Sequence, residues 1–244
     1  MGIEVLSALV VAVFFIALLY SSVGHAGASG YIAVMTLFSL VPAEIKPIAL
    51  ALNILVATIG SWQFWRAGHF SWSVFWPFAL LSVPFAFLGG YLNLPTHVFK
   101  VLVGCVLLVS AAQFLFRPPA EADPRPPAKA AAIGIGAGLG LLAGLTGTGG
   151  GIFLTPLLIF MRWARTRTAS AVSAPFILLN SASGLLGNVS ATGTFPTLAL
   201  ALLASAALGG TIGSHFGSRR LQPSVVKRLL AIVLIIAGLK LIFT

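Results

Sequence analysis

The chain has 244 residues, of which 59% are hydrophobic and 7% charged, and its formal net charge is +10. A soluble domain carries about a quarter charged residues, so this chain could not present a wetted surface to water; its mean hydropathy is +1.06. The basic residues fall in short segments between apolar runs, where orientation signals of membrane proteins lie, which argues against a nucleic-acid partner.

Read from the N-terminus, Val5–Tyr20 is free of Asp, Glu, Lys and Arg. It has a Glu where a signal peptide would carry Lys or Arg, and it runs straight into a glycine motif, so it reads as a retained helix. The first half yields helical segments at 4–23, 30–41, 45–65, 72–92 and 98–116. The long apolar runs approach the roughly 20 residues that cross a ~30 Å hydrocarbon layer. They are apolar on all sides rather than alternating, which selects helices over a β-barrel. Cys105, the single cysteine, falls in the fifth segment, excludes an intrachain disulfide and reads as a small buried hydrophobe. A Pro-rich linker, 117–129, follows. The second half then gives segments at 130–144, 150–161, 168–188, 196–216 and 224–243.

The halves, 1–116 and 130–244, resemble one another. Gly24, Gly27 and Gly30 match Gly144, Gly147 and Gly150 at an offset of 120, and Leu88-Gly-Gly90 matches Leu208-Gly-Gly210 at the same offset. Gly68 and Phe70 match Gly193 and Phe195 at 125, and Asn53 and Gly60 match Asn180 and Gly187 at 127. If the first two segments of each half enter the membrane and return, the halves insert upside down. One face then collects eleven Lys and Arg and the other only Lys46, Lys100 and Lys240; parallel halves would split them nine to five. One continuous helix over Val5–Leu40 would also be about 54 Å long, too long for a single crossing. The expectation is an all-α membrane protein of about ten helical segments in two inverted repeats, each with a glycine-broken or re-entrant hairpin. The linker is then cytoplasmic and both termini external.

Glycine breaks at matching places in inverted halves point to a transport site. Glycines let the backbone leave the helix and approach a ligand. The next helix then begins inside the membrane with unpaired N–H groups and the positive end of its dipole facing the break, which favours an anion. The first break offers Ser22, Gly24, His25, Gly27, Ser29 and Gly30; the second offers Thr146, Gly147, Thr148, Gly149, Gly150 and Gly151. Small residues at such places also serve close helix packing. Asn53 and Asn180, near the middle of the third helix of each half, would present amides to the substrate, hold the breaks open, or act as interhelical glue. Trp62, Trp65, Trp72, Trp76 and Trp163 mark membrane boundaries.

The four acids, Glu4, Glu44, Glu121 and Asp123, fall at segment ends or in loops, so no mid-membrane carboxylate is expected for a cation or proton relay. The cations also map to loops or helix ends. There is no Walker A motif and no Cys/His cluster, so neither ATP hydrolysis nor a metal or other cofactor is implied. A donor-rich buried site without carboxylates suits a small anionic substrate.

The break Ser22–Tyr31, the run Gly-Leu-Thr-Gly-Thr-Gly-Gly-Gly-Ile-Phe-Leu-Thr-Pro at 144–156, the Asn-bearing helices and the duplicated plan resemble the sulfite exporter TauE/SafE family. That resemblance implies a secondary transporter of the bacterial inner (plasma) membrane. It would move small sulfur-containing anions, such as sulfite, sulfoacetate or other organosulfonates, usually outward. The first break departs from the family's unbroken glycine run at Gly27-Ala28-Ser29-Gly30 and adds His25. A passive anion channel of the same build is the alternative, and a membrane-embedded lipid-phosphate enzyme a more distant one, since only His25 among groups suited to phosphate chemistry lies in a break. The residues leave open which anion is carried, in which direction, with what coupling ion and in what oligomeric state.

Overall fold

The protein, seen in a computed structural model, is described over residues 2–22, 26–115, 124–125, 127–217 and 223–243. These form helices and no strand: α1 Ile3–Ser22, α2 Ala28–Leu37, α3 Pro42–Arg66, α4 Trp72–Tyr91, α5 Thr96–Leu115, α6 Lys129–Thr146, α7 Gly151–Phe160, α8 Thr166–Thr192, α9 Leu198–Gly217 and α10 Pro223–Phe243. Among the described residues, six helices are long and apolar enough to cross a membrane, and α2 and α7 are ten-residue pieces.

The short helices begin and end alike. Gly27 precedes α2 at φ 94° and Gly150 precedes α7 at φ 78°, left-handed conformations that glycine adopts without a Cβ penalty. At the other end, Leu40 N–H donates to Met35 O and Trp163 N–H to Leu158 O, with Ser39 and Arg162 at φ 60° and 56°. Both are Schellman-type terminations. They end α2 at Leu37, short of the expected 41, and the Gly27 turn starts it earlier than expected. Gly27 and Gly150 thus hold like places before the short helices, and Ser39 and Arg162 after them, each pair at an offset of 123. The glycine match at 120 aligns composition but misses the helix starts by three residues.

α4 packs on α6 and α8, α9 on α1 and α3, α5 on α10, and α3 on α8. Exchanging α1–α5 with α6–α10 converts this set of pairings into itself. Glycines set the closest approaches. On α6, Gly136, Gly140 and Gly144 recur every fourth residue and lie against the backbone of Phe78, Ser82 and Ala86 of α4, where a Cβ would strike a carbonyl oxygen. On α9, Gly209 and Gly213 lie in the same way against Phe14 and Leu18 of α1. Small residues spaced this way let helices meet through main-chain contact where lipid offers no hydrophobic drive.

The helix ends fall into two groups. Arg125 N–H donates to Arg162 O at 2.8 Å and the Lys129 ammonium stands 5.7 Å from the Trp76 ring, joining the end of α7 to the starts of α6 and α4. Lys240 Nζ donates to Thr36 O and Leu37 O at 3.0 and 3.1 Å, fixing the end of α2 to the end of α10. Trp62, Trp65, Trp72 and Trp76 are exposed around the α3–α4 turn, as a membrane-interface belt requires. Cys105, expected to be buried, faces outward from α5, as an apolar side chain does at no penalty when the surrounding medium is lipid.

Candidate functional site

The two breaks meet. A cavity of about 20 Å³ is walled by Tyr20, Ala26, Gly27, Ala28 and Ser29 from the first hairpin, by Thr148 and Ile152 from the second, and by Ile177 of α8. That volume admits about one water. The sequence match could place the breaks at equivalent points of the two halves; only the packing of α1, α2, α7 and α8 brings them to a common space.

At the second break, Gly147, Gly149 and Gly150 all take positive φ, and Thr146 and Thr148 share a hydroxyl contact of 2.9 Å. The main-chain hydrogen bonds outside the helices include none donated by Gly149, Gly150, Gly151 or Ile152 among the described residues. These are the first N–H groups of α7 and the turn before it, so the positive end of that helix opens on the break. A Cβ at Gly149 would come within 2.7 Å of Ser181 Oγ and 3.2 Å of Asn53 Nδ2, which places both side chains beside this turn. Ser181 Oγ and Asn53 Oδ1 are buried without a hydrogen-bond partner. Buried polar atoms are nearly always satisfied, and unsatisfied ones gathered in one place mark where a water or ligand belongs.

At the first break, Ser29 Oγ lies 2.8 Å from Tyr20 OH, and the Tyr31 ring packs under Gly27 with its hydroxyl unpartnered. Gly30 faces Ile16 and the Tyr20 ring and so serves packing. Ser22 closes α1, and Gly24 and His25 lie outside the described residues.

The two asparagines do different things. Asn53 donates its amide to Gly147 O at 3.3 Å, so an α3 side chain of the first half braces the break of the second. Asn180 accepts from Ser82 Oγ on α4, and its own Nδ2 is left without a partner. The α8 residues beside the break are Ile177 and Ser181. Gly150 points its missing side chain at Phe176 and Ala143, into helix packing, and Gly151 points at Ile177. Their contribution at the break is main chain.

Sequence reasoning missed Tyr20, Ser181 and Lys46. Tyr20 sat inside an apolar run, and Ser181 was eclipsed by its neighbour Asn180. Lys46 was expected at a loop or helix end, as a charge that sets orientation; it does lie near the start of α3, in its second turn, but 5% exposed, with Nζ donating to Gly89 O, Gly90 O and Leu92 O at 3.0, 2.8 and 3.0 Å. The end of α4 needs acceptors filled, and a lysine from α3 fills them. Among the described residues no His/Cys/Asp/Glu group could hold a metal ion.

The sequence model of the family described as "Sulfite exporter TauE/SafE" matches residues 9–241. A protein of Sinorhizobium fredii (strain NBRC 101917 / NGR234), named "Probable membrane transporter protein y4hK", is 40% identical over 240 residues, covering 96% of this chain and 97% of that relative. One of Bacillus subtilis (strain 168), "Probable membrane transporter protein YunE", is 31% identical over 105 residues, 43% of this chain and 38% of its own. No solved structure matches the chain.

Proposed function

We propose that this multi-pass membrane transporter, which belongs to the sulfite exporter TauE/SafE family, moves small sulfur-containing anions such as sulfite, sulfoacetate or other organosulfonates through the space between its two broken hairpins. The observation that carries this reading is the convergence of both breaks on one cavity, with unpaired N–H groups and the free groups of Asn53 and Ser181 beside the second. An anion stripped of water inside a membrane costs several kcal/mol or more unless it is compensated. Here peptide N–H groups and the positive ends of α2 and α7 supply that compensation, helped by the Thr148 and Ser29 hydroxyls.

The space is water-sized, so a sulfonate enters only when the hairpins part. A buried space that must open for each ligand favours a carrier over a channel. Inverted insertion of the halves gives such a carrier two alternative openings. It is supported by the grouping of the ends of α6, α7 and α4 around Arg125, Arg162 and Lys129, against that of α2 and α10 around Lys240. With the basic cluster inside, both termini and the Lys46 end lie outside an inner membrane and the 117–129 linker is cytoplasmic.

Purified protein in liposomes loaded with unlabelled sulfite or sulfoacetate should accumulate labelled ligand from outside by exchange, above its external concentration. Flux that only ever follows the gradient would make the protein a channel, and no flux of any sulfur anion would remove the substrate assignment.

A further inference from the structure

A second polar cavity, of about 250 Å³, lies outside the second break. We propose that it is an anion-binding vestibule, a station at which the anion is held by Lys46 and Asn188 on its way to or from the central site. This rests on the anion-transport reading above and adds to it a second site, its residues and the side of the membrane it serves.

The cavity is lined by Lys46, Asn93, Thr96, Leu145, Asn188 and Thr192, among others. The three carbonyls on the Lys46 ammonium satisfy its hydrogen bonds without cancelling its charge, and no described carboxylate pairs with it. Glu44, two residues away, lines a different cavity with Leu6 and Thr197. The negative end of α4 offsets only part of a full charge. A buried cation held by neutral groups leaves a positive potential in the nearest polar space, and that space is this cavity.

Asn188 adds a polar side chain to the same wall. It is 3% exposed and lines the cavity, to which it contributes a side-chain amide. Its own carbonyl takes the Thr192 hydroxyl at 2.9 Å. The 20-residue helix α5 begins at Thr96, so its first N–H groups add donors at the same wall.

The vestibule adjoins the central site. Leu145 lines it, and a Cβ on Gly147 would stand 3.1 Å from Lys46 O and 3.3 Å from its Cα. Gly147 is the residue whose carbonyl Asn53 holds. The ligand class is a small oxyanion or short sulfonate, its charged head toward Lys46 and its carbon chain toward Phe99 and Leu94, which share the wall.

The test is equilibrium binding of labelled sulfite and sulfoacetate to the full chain in nanodiscs, for the parent, Ala28→Leu, Lys46→Met, Lys46→Arg and Asn188→Leu. Ala28 lines the central cavity, which has no room for three more carbons beside a ligand. In Ala28→Leu the vestibule should still bind, with lower affinity than the parent. Adding Lys46→Met or Asn188→Leu to it should weaken that residual binding by about tenfold or more, and adding Lys46→Arg should preserve most of it. Asn188→Leu leaves the lysine–carbonyl clamp untouched, so its loss of binding is not loss of the α4 cap. If the parent binds but Ala28→Leu binds nothing, or if both substitutions leave the residual affinity unchanged, the vestibule is overturned while the central site stands. If the parent binds neither anion, the substrate reading falls and the vestibule with it.

Discussion

Asn53 of α3 donates its side-chain amide to the carbonyl of Gly147, 94 residues further along the chain and in the other half of the molecule. The two halves are thus tied at the turn where α6 gives way to α7. Asn53→Leu removes the donor and leaves that buried carbonyl unsatisfied, which costs about 1–3 kcal/mol. The expected result is a lower melting temperature together with a loss of flux of tenfold or more. Normal flux in a destabilised but assembled protein would reduce Asn53 to a packing residue.

Asn180 should behave differently, because its partner is Ser82 of α4. Asn180→Leu alone strands the Ser82 hydroxyl, whereas removing both groups of a buried pair is close to neutral. Ser82→Ala combined with Asn180→Leu should therefore be more stable than Asn180→Leu alone. A thermal-unfolding cycle that came out additive would break the link between the two side chains.

The α4–α6 seam gives a sharper contrast. A Cβ on Gly140 would strike Ser82 O, while nothing lies within 4 Å of one on Gly138. Gly140→Val should abolish or strongly reduce assembled protein, since backbone contact has no flexible atom to yield. Gly138→Ala should leave yield unchanged or raise stability by up to about 1 kcal/mol through helix propensity. Equal yields for both, measured by size-exclusion chromatography, would contradict the seam.

Much of this was legible in the sequence. Ten segments, their lengths and the glycine breaks follow from runs of apolar residues interrupted by glycine, because lipid leaves the backbone few alternatives. The sequence also singled out Asn53 and Thr148, and both lie at the second break. What it could not show was direction. Gly150 looked like a point of close approach to ligand, yet its absent side chain faces Phe176, so Gly150→Val would strain a φ of 78° and disturb packing as much as binding. Lys46 looked like an orientation charge because its position near a helix start says nothing of which other helix ends beside it. Tyr20 and Ser181 carried no periodic or motif signal; they matter through neighbours distant in the chain.

Topology is testable without any ligand. A reporter fused after Thr244 is expected outside and one inserted near Asp123 inside, as the distribution of Lys and Arg requires. Both reporters on one side would contradict inverted halves and the two-sided access built on them.

Within the central cavity, Thr148→Val keeps the shape and removes the hydroxyl, and Tyr20→Phe releases Ser29 from its 2.8 Å contact. Thr148→Val should raise the half-saturation concentration for sulfite several-fold, the scale of one lost hydrogen bond at ~1 kcal/mol. Tyr20→Phe should change it less, because a freed Ser29 hydroxyl can turn to the ligand. Concentration-dependent flux in liposomes reads both.

The central claim is that the anion is carried between the two breaks, and a structure of the protein in nanodiscs with sulfoacetate bound tests it most directly. The sulfonate should lie between the start of α2 and the start of α7, its oxygens within about 3 Å of the N–H groups around Gly149–Ile152 and near Thr148 and Ser29, with the cavity enlarged beyond 20 Å³. A sulfonate bound only elsewhere, with Gly27–Ser29 and Thr148 still closed on each other, would contradict it.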